Sequence, residues 1–192
     1  MFQIALSQMT TNRWELSKEL PYYANHGFSS VALWRNKVSD FTREEIRQLF
    51  EEYSMHVSSV QWAGGFTGSD GRTFEESLAD AKDAIHLAAS LKCPTVVLYS
   101  GSRGGHTLSH ARRLLTDAIE TLIPIANQEN VQLALKPLHP HATSGCSFLT
   151  TLTDTLVLID QVNEYSLPNT PVGMSVDLWH FADDPHLLDN LQ

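Results

Sequence analysis

VQLALKPLHP, residues 131–140, is an apolar run that ends in a lysine, a proline and a histidine. Val131, Leu133, Ala134 and Leu135 have the composition of a strand buried on both faces, as strands of parallel sheets are. Such a strand carries Lys136 to the point where it opens into a loop. What that ammonium meets depends on how the segments around it are built.

Working outward in both directions, short apolar runs alternate with longer helical patterns. Before the quoted stretch the strand-like runs are Phe2–Ser7, Ser29–Trp34, His56–Trp62 and Thr95–Tyr99, and after it Val172–Asp177. Between them lie helical patterns over Trp14–Asn25, from about Thr42, from about Thr73, from Leu108 through Ala126, and over Leu152–Val162. Thr42 with Glu45, and Thr73 with Glu76, have the spacing of capping boxes. Phe74, Leu78, Ala81, Ile85 and Ala88 recur at steps of four and three, one face of a helix. Pro124 inside the fourth pattern is expected to kink or shorten that helix. Six strand–helix units of roughly 30 residues each imply successive crossovers with parallel strands.

Two α/β folds fit. An open, doubly wound parallel sheet usually carries a glycine-rich phosphate loop after its first strand, and ALSQMTTN, residues 5–12, has no glycine. A (β/α)8 barrel gathers its functional residues in the loops after the strands. Those loops here read LWRNK, QWAGG, YSGSRGGH, KPLHPH and DLWH, and they hold three of the four tryptophans and four of the nine histidines. The preferred reading is an incomplete (β/α)8 TIM barrel of about six βα units. It forms one domain over residues 1–192, truncated at the C-terminus, with an open parallel α/β sheet as the alternative.

Composition narrows the function. The 192 residues are 42% hydrophobic and 18% charged, as in an ordinary globular protein. Thirteen basic against 22 acidic residues give a net charge of −9, which disfavours broad electrostatic contact with nucleic acid. No apolar stretch reaches the roughly 18 residues of a membrane span, and the N-terminus lacks the pattern of a signal peptide. Two cysteines, Cys93 and Cys146, form neither a disulfide framework nor a metal motif. The expectation is a cytoplasmic protein with a small-molecule ligand, and without nucleic-acid or membrane partners.

LALKPLHPHATSGCSFLTTLTDTLVLID, residues 133–160, followed by VGMSVDLWHFADDPHLL, residues 172–188, resembles the xylose-isomerase-like barrels, the sugar phosphate isomerases and epimerases. The SGSRGGHTLSHARRLL segment, residues 100–115, is similar to the fourth-strand loop and helix of one bacterial branch. The resemblance runs over the whole chain and corresponds to about the first six of eight units. It implies a divalent cation (Mn, Mg or Zn) at the barrel mouth, polarising a substrate carbonyl and hydroxyl while a neighbouring proton moves. The ligands it implies are a Glu ending strand five, an Asp ending strand six, a His on strand seven and a Glu on strand eight. Asp177 falls at the strand-six ligand position. His180 matches a histidine that contacts the substrate or, in the nuclease branch, the metal. Lys136 replaces the strand-five Glu, so tight metal binding by this chain is not expected.

Lys136 reads either as a structural partner of Asp177 or, if desolvated, as a base or Schiff-base nucleophile. With His180 it is the candidate catalytic pair. His139 is a candidate substrate contact by resemblance, and His106 lies in a loop on the same face, while His141 reads as solvent-exposed. Arg103, among glycines 101, 104 and 105, could cradle a phosphate, although the segment lacks a P-loop ending and a plain turn fits better. Trp34 and Trp62 end strands two and three, where aromatics either wall a pocket or fill a core. Two functions remain: a sugar (phosphate) isomerase or epimerase, and a catalytically inactive, metal-free relic or binding module. Open sheet edges on strands one and six are expected to be covered by a homo-oligomer or another partner.

Overall fold

The computed structural model describes residues 4–139, 146–164, 172–185 and 187–188. Six strands form one sheet in the order of the sequence, every neighbouring pair parallel. They are β1 (Leu6–Ser7), β2 (Ser30–Trp34), β3 (His56–Gly64), β4 (Thr95–Tyr99), β5 (Gln132–Leu135) and β6 (Gly173–Met174). The helices between them are α1 (Leu16–Asn25), α2 (Arg43–Glu52), α3 (Phe74–Ser90), α4 (Leu108–Glu129) and α5 (Leu152–Glu164), with a short α6 (Leu178–Phe181) after β6. One-turn 3-10 helices, Gln8–Thr11 and Arg35–Val38, follow β1 and β2.

A doubly wound sheet reverses its strand order at a switch point, and this one never does. The order β1 to β6 without reversal is the sequence of an incomplete barrel of about six βα units. Register sorts the side chains into two faces, because strand side chains alternate. Leu33, Val60 and Val96 pair in one row and Val96 continues to Leu133. These residues belong to a single core with Ile46 and Phe50 of α2, Ile85 of α3 and Leu115 and Ile119 of α4. The alternate row runs Trp34, Gln61, Val97, Ala134, Gly173 and lines the other face.

Local chemistry sets where the helices begin. Thr42 and Thr73 both accept from the backbone N–H three residues on, and Glu45 and Glu76 return the bond to the cap N–H. The acid that closes each box is held below the ordinary Glu pKa by its bonds to the cap residue. α4 ends at Asn130, in the left-handed conformation with φ 56°. Of the two effects expected of Pro124, a kink or a shortening, the shortening is corrected: α4 runs five residues past it. Pro124 and Glu120 lie on the exposed side, where water can take the carbonyl that the missing N–H leaves unpaired.

Strand lengths at the ends of the sheet also differ from the sequence reading. β1 spans two residues against the expected Phe2–Ser7, of which residues 2 and 3 lie outside the described ones. β6 spans two of the expected six. Each pairs on one side only among the described residues, so part of its backbone has no ladder to extend it. At the centre, by contrast, backbones touch. A Cβ on Gly64, φ 132°, would lie 2.1 Å from the Tyr99 carbonyl oxygen, so β3 and β4 can pair there only around a glycine.

Candidate functional site

Lys136 follows β5 directly, and its backbone N–H still donates to Leu98 O at 2.8 Å. It is therefore fixed at the C-terminal end of the sheet, on the face that Ala134 occupies one pleat earlier. Asp177 follows β6 and caps α6 by accepting from Trp179 N at 3.1 Å. Adjacent strands thus deliver an ammonium and a carboxylate to the same place. Lys136 Nζ donates to Asp177 Oδ2 at 3.0 Å, with side chains 16% and 28% exposed. Burial pushes the Asp177 carboxyl pKa up, but Lys136, with smaller help from His180 and the Trp179 N–H, holds it below the usual range.

His180 lies three residues further along α6, with Nδ1 3.9 Å from Asp177 Oδ2. That nitrogen is buried and has no hydrogen-bond partner among the described residues. His139 packs edge-on against Phe181, ring centroids 6.2 Å apart. The structure thus brings Lys136, Asp177 and His180 together, with His139 beside them through Phe181. His141 lies outside the described residues.

The other candidates gather elsewhere. Trp34 and Trp62 line a cavity of about 560 Å³ over the ends of β2, β3 and β4, which also takes in Arg35, Arg72, Asp80 and Tyr99. Lys136, Asp177 and His180 do not line it. Arg35 clasps Asp80 of α3 with two bonds of 2.9 and 2.7 Å and donates to Trp62 O at 3.2 Å. Arg72 holds Asp70 at 2.6 Å, reaches Asp80 at 3.1 Å and donates to Gly64 O and the Tyr99 hydroxyl. Burial would raise the Asp70 and Asp80 carboxyls, yet their arginines keep both lowered. The Tyr99 hydroxyl is raised by burial, against the pull of Arg72.

His106 and Arg103 sit in the β4–α4 loop. His106 Nε2 is 3.1 Å from Thr67 O, and its ring stacks on His110 at 4.6 Å, bracing this loop against the one after β3. Arg103 is exposed, and its carbonyl accepts from His106 N at 2.8 Å, closing a turn. Nearby, Ser100 and Ser147 hydroxyls meet at 2.8 Å, and Phe148 N donates to Gly101 O, which clips the chain before α5 to the end of β4.

Sequence reasoning did not find Asp80, Arg72, Asp70 and Tyr99. Asp80 sits on a helix rather than in a loop after a strand, and nothing in the helical period marks it out. It also missed the Glu19–Lys37 pair, whose side chains are 0% and 6% exposed and 2.7 Å apart. Gln8 and Tyr23 both donate to the Glu19 carboxylate at 2.8 Å, and Lys37 also donates to the carbonyls of Thr11 and Trp14. Burial pushes the Tyr23 hydroxyl up to about 12. This cluster locks the loops after β1 and β2 together.

No three His, Cys, Asp or Glu side chains converge as a metal-binding group among the described residues. Asp177, the matching carboxylate, already carries the Lys136 ammonium, which repels a second cation and occupies one oxygen. The described residues do not fit the divalent ion that the resemblance implies.

A model of the xylose isomerase-like TIM barrel family matches residues 20–191. Among solved structures, protein SMc04130 from Sinorhizobium meliloti 1021 superimposes with a TM-score of 0.85 at 24% identity, over 98% of this chain and 67% of that one. The 3-keto-D-glucoside 4-epimerase YcjR from E. coli gives 0.81 at 14% identity, over 100% and 74%. The IOLI protein, solved with a zinc atom bound, gives 0.77 at 17% identity, over 99% and 68%. The chain thus spans two thirds to three quarters of these structures. No curated protein matches it in sequence.

Proposed function

Because the chain belongs to the xylose isomerase-like TIM barrel family, we propose that it binds a small sugar or polyol of the kind sugar isomerases and epimerases handle. The ligand lies at the C-terminal end of the sheet, and the Lys136–Asp177 ion pair stands in place of a cation. The observation that carries this reading is the 3.0 Å bond between Lys136 Nζ and Asp177 Oδ2. An ammonium has three N–H donors, and one of them serves Asp177. Lys136 supplies a fixed positive charge for a ligand carbonyl or hydroxyl, and His139 and His180 flank it.

Binding is better supported than turnover. Moving a proton next to a carbonyl needs a base whose pKa lies near the working pH. Asp177 is held below its ordinary range by the same lysine that would polarise the carbonyl, so it is a poor base. The family relationship, with a sugar epimerase among the structural relatives, supports the ligand class.

Calorimetric titration with pentoses, hexoses, inositol and their phosphates tests this, with and without EDTA. The expected result is sugar binding indifferent to chelation and weakened about tenfold or more by Lys136→Ala, the loss of one charge-assisted hydrogen bond. Binding that vanishes with EDTA and returns with manganese or zinc would overturn it.

A further inference from the structure

The cavity over β2, β3 and β4 is lined by Arg35, Arg43 and Arg72 and by Asp70, Asp80 and Asp83. Three guanidinium groups face three carboxylates in a chain whose net charge is −9. Each is paired: Arg35 with Asp80 at 2.7 Å, Arg72 with Asp70 at 2.6 Å and Asp80 at 3.1 Å, and Arg43 with Asp83 at 3.6 Å. The cavity is electrically neutral, yet rich in fixed donors and acceptors.

That balance selects the ligand. A phosphate or carboxylate is held where arginines stand without counter-charge, since only then does the anion gain more than it loses on leaving water. Here every arginine already has its carboxylate, so a charged ligand would displace a pair to form a pair. A neutral ligand with many hydroxyls meets carboxylate oxygens as donor and guanidinium N–H groups as acceptor, leaving the charge balance intact. The indoles of Trp34 and Trp62 and the Tyr99 ring, with Trp62 and Tyr99 centroids 5.9 Å apart, add aromatic surface for the C–H face of such a molecule. The volume, about 560 Å³, falls within the roughly 300–1,000 Å³ usual for small-molecule pockets.

We infer that this cavity is a subsite for a neutral, unphosphorylated pyranose ring, separate from the Lys136–Asp177 pair. The inference rests on the carbohydrate-binding reading given above and narrows it: the ligand is a neutral glycoside or disaccharide, whose second ring or aglycone reaches the Lys136–Asp177 pair. β5 is two strands from β3, about 10 Å away at the usual strand spacing, a span that a two-ring sugar covers. Arg35, through its bond to Trp62 O, and Arg72, through Tyr99, act as positioning residues for the aromatic walls.

The test is NMR on the full chain, following the indole N–H signals of Trp34 and Trp62 and the imidazole signals of His180. The probes are methyl β-D-glucopyranoside, cellobiose and glucose 6-phosphate. The neutral sugars are expected to shift both indoles and to bind about tenfold more tightly than glucose 6-phosphate. Asp80→Asn, which leaves one arginine charge unmatched, should narrow or reverse that preference. Should that variant fold poorly, Asp83→Asn at the exposed end of the cavity adds the same charge without touching the Arg35–Asp80–Arg72 network. Tighter binding of glucose 6-phosphate by the unaltered chain, or no change of preference in the variants, overturns the inference. Shifts at His180 with unmoved indoles sink the subsite and keep the mouth. With cellobiose, moving indoles and a silent His180 keep the subsite and sink the mouth, and no shift with any probe sinks both.

Discussion

Three carboxylates, Asp70, Asp80 and Asp177, share one physical situation. Burial alone would raise the pKa of each, and a cationic partner more than compensates, so each native value lies below the ordinary one. Because the folded chain takes up these protons later than the unfolded chain on acidification, the three groups stabilise the fold fully above the unfolded value of about 4. That contribution is lost as the pH falls through the depressed native values. Urea unfolding measured from pH 7 down to pH 2 should therefore show stability falling mainly below about pH 4. Asp80→Asn should lower the neutral-pH plateau and flatten the acid slope. An unchanged slope in that variant would mean that the Arg35–Asp80–Arg72 network does not stabilise the fold.

Helix α3 connects the core to the rim cavity. Ala81, Ala84, Ile85 and Ala88 are fully buried on its inner face, while Asp80, one position away from Ala81, points to the arginines. Its start is set by the reciprocal bonds of Thr73 and Glu76, 3.1 and 2.7 Å long. Removing the cap with Thr73→Ala should cost about 1 kcal/mol. The loss should appear as faster amide exchange in the first turn and weaker ordering of Arg72, the residue just before the cap. Thermal unfolding combined with hydrogen exchange measures both. Protection unchanged over residues 74–78 would show that packing alone fixes the start of the helix.

At the scale of the molecule, the two ends of the sheet are open among the described residues. β1 and β6 each have a neighbour on one side only among the described residues, and both are two residues long. Large apolar side chains stand out beside them: Ile4 at 77%, Leu178 at 61%, Trp179 at 91% and Leu188 at 75% exposure. Unpaired backbone and exposed apolar surface together favour association. The chain is therefore expected to self-associate with increasing concentration in sedimentation velocity, and Trp179→Ser is expected to weaken that association. A monomer at every concentration, with the amides of β1 and β6 protected from exchange, would show that the edges are covered from within.

The sequence by itself determined the alternation of strands and helices, because hydrophobic period and capping boxes are local. Thr95–Tyr99 was legible to the residue, and the capping-box spacings marked the starts of α2 and α3. Lys136 and Asp177 were legible as partners because each ends one of two consecutive strands, and parallel neighbours bring such ends together. Only the tertiary structure decided that Trp34 and Trp62 line a cavity that Lys136 does not reach. That depends on which loops meet over the rim, and on Asp80 reaching them from a helix. Glu19 and Lys37 likewise read as ordinary surface charges in a linear chain. Their burial follows from the packing of the β1 and β2 loops against α1, a contact between segments 18 residues apart that no local pattern encodes.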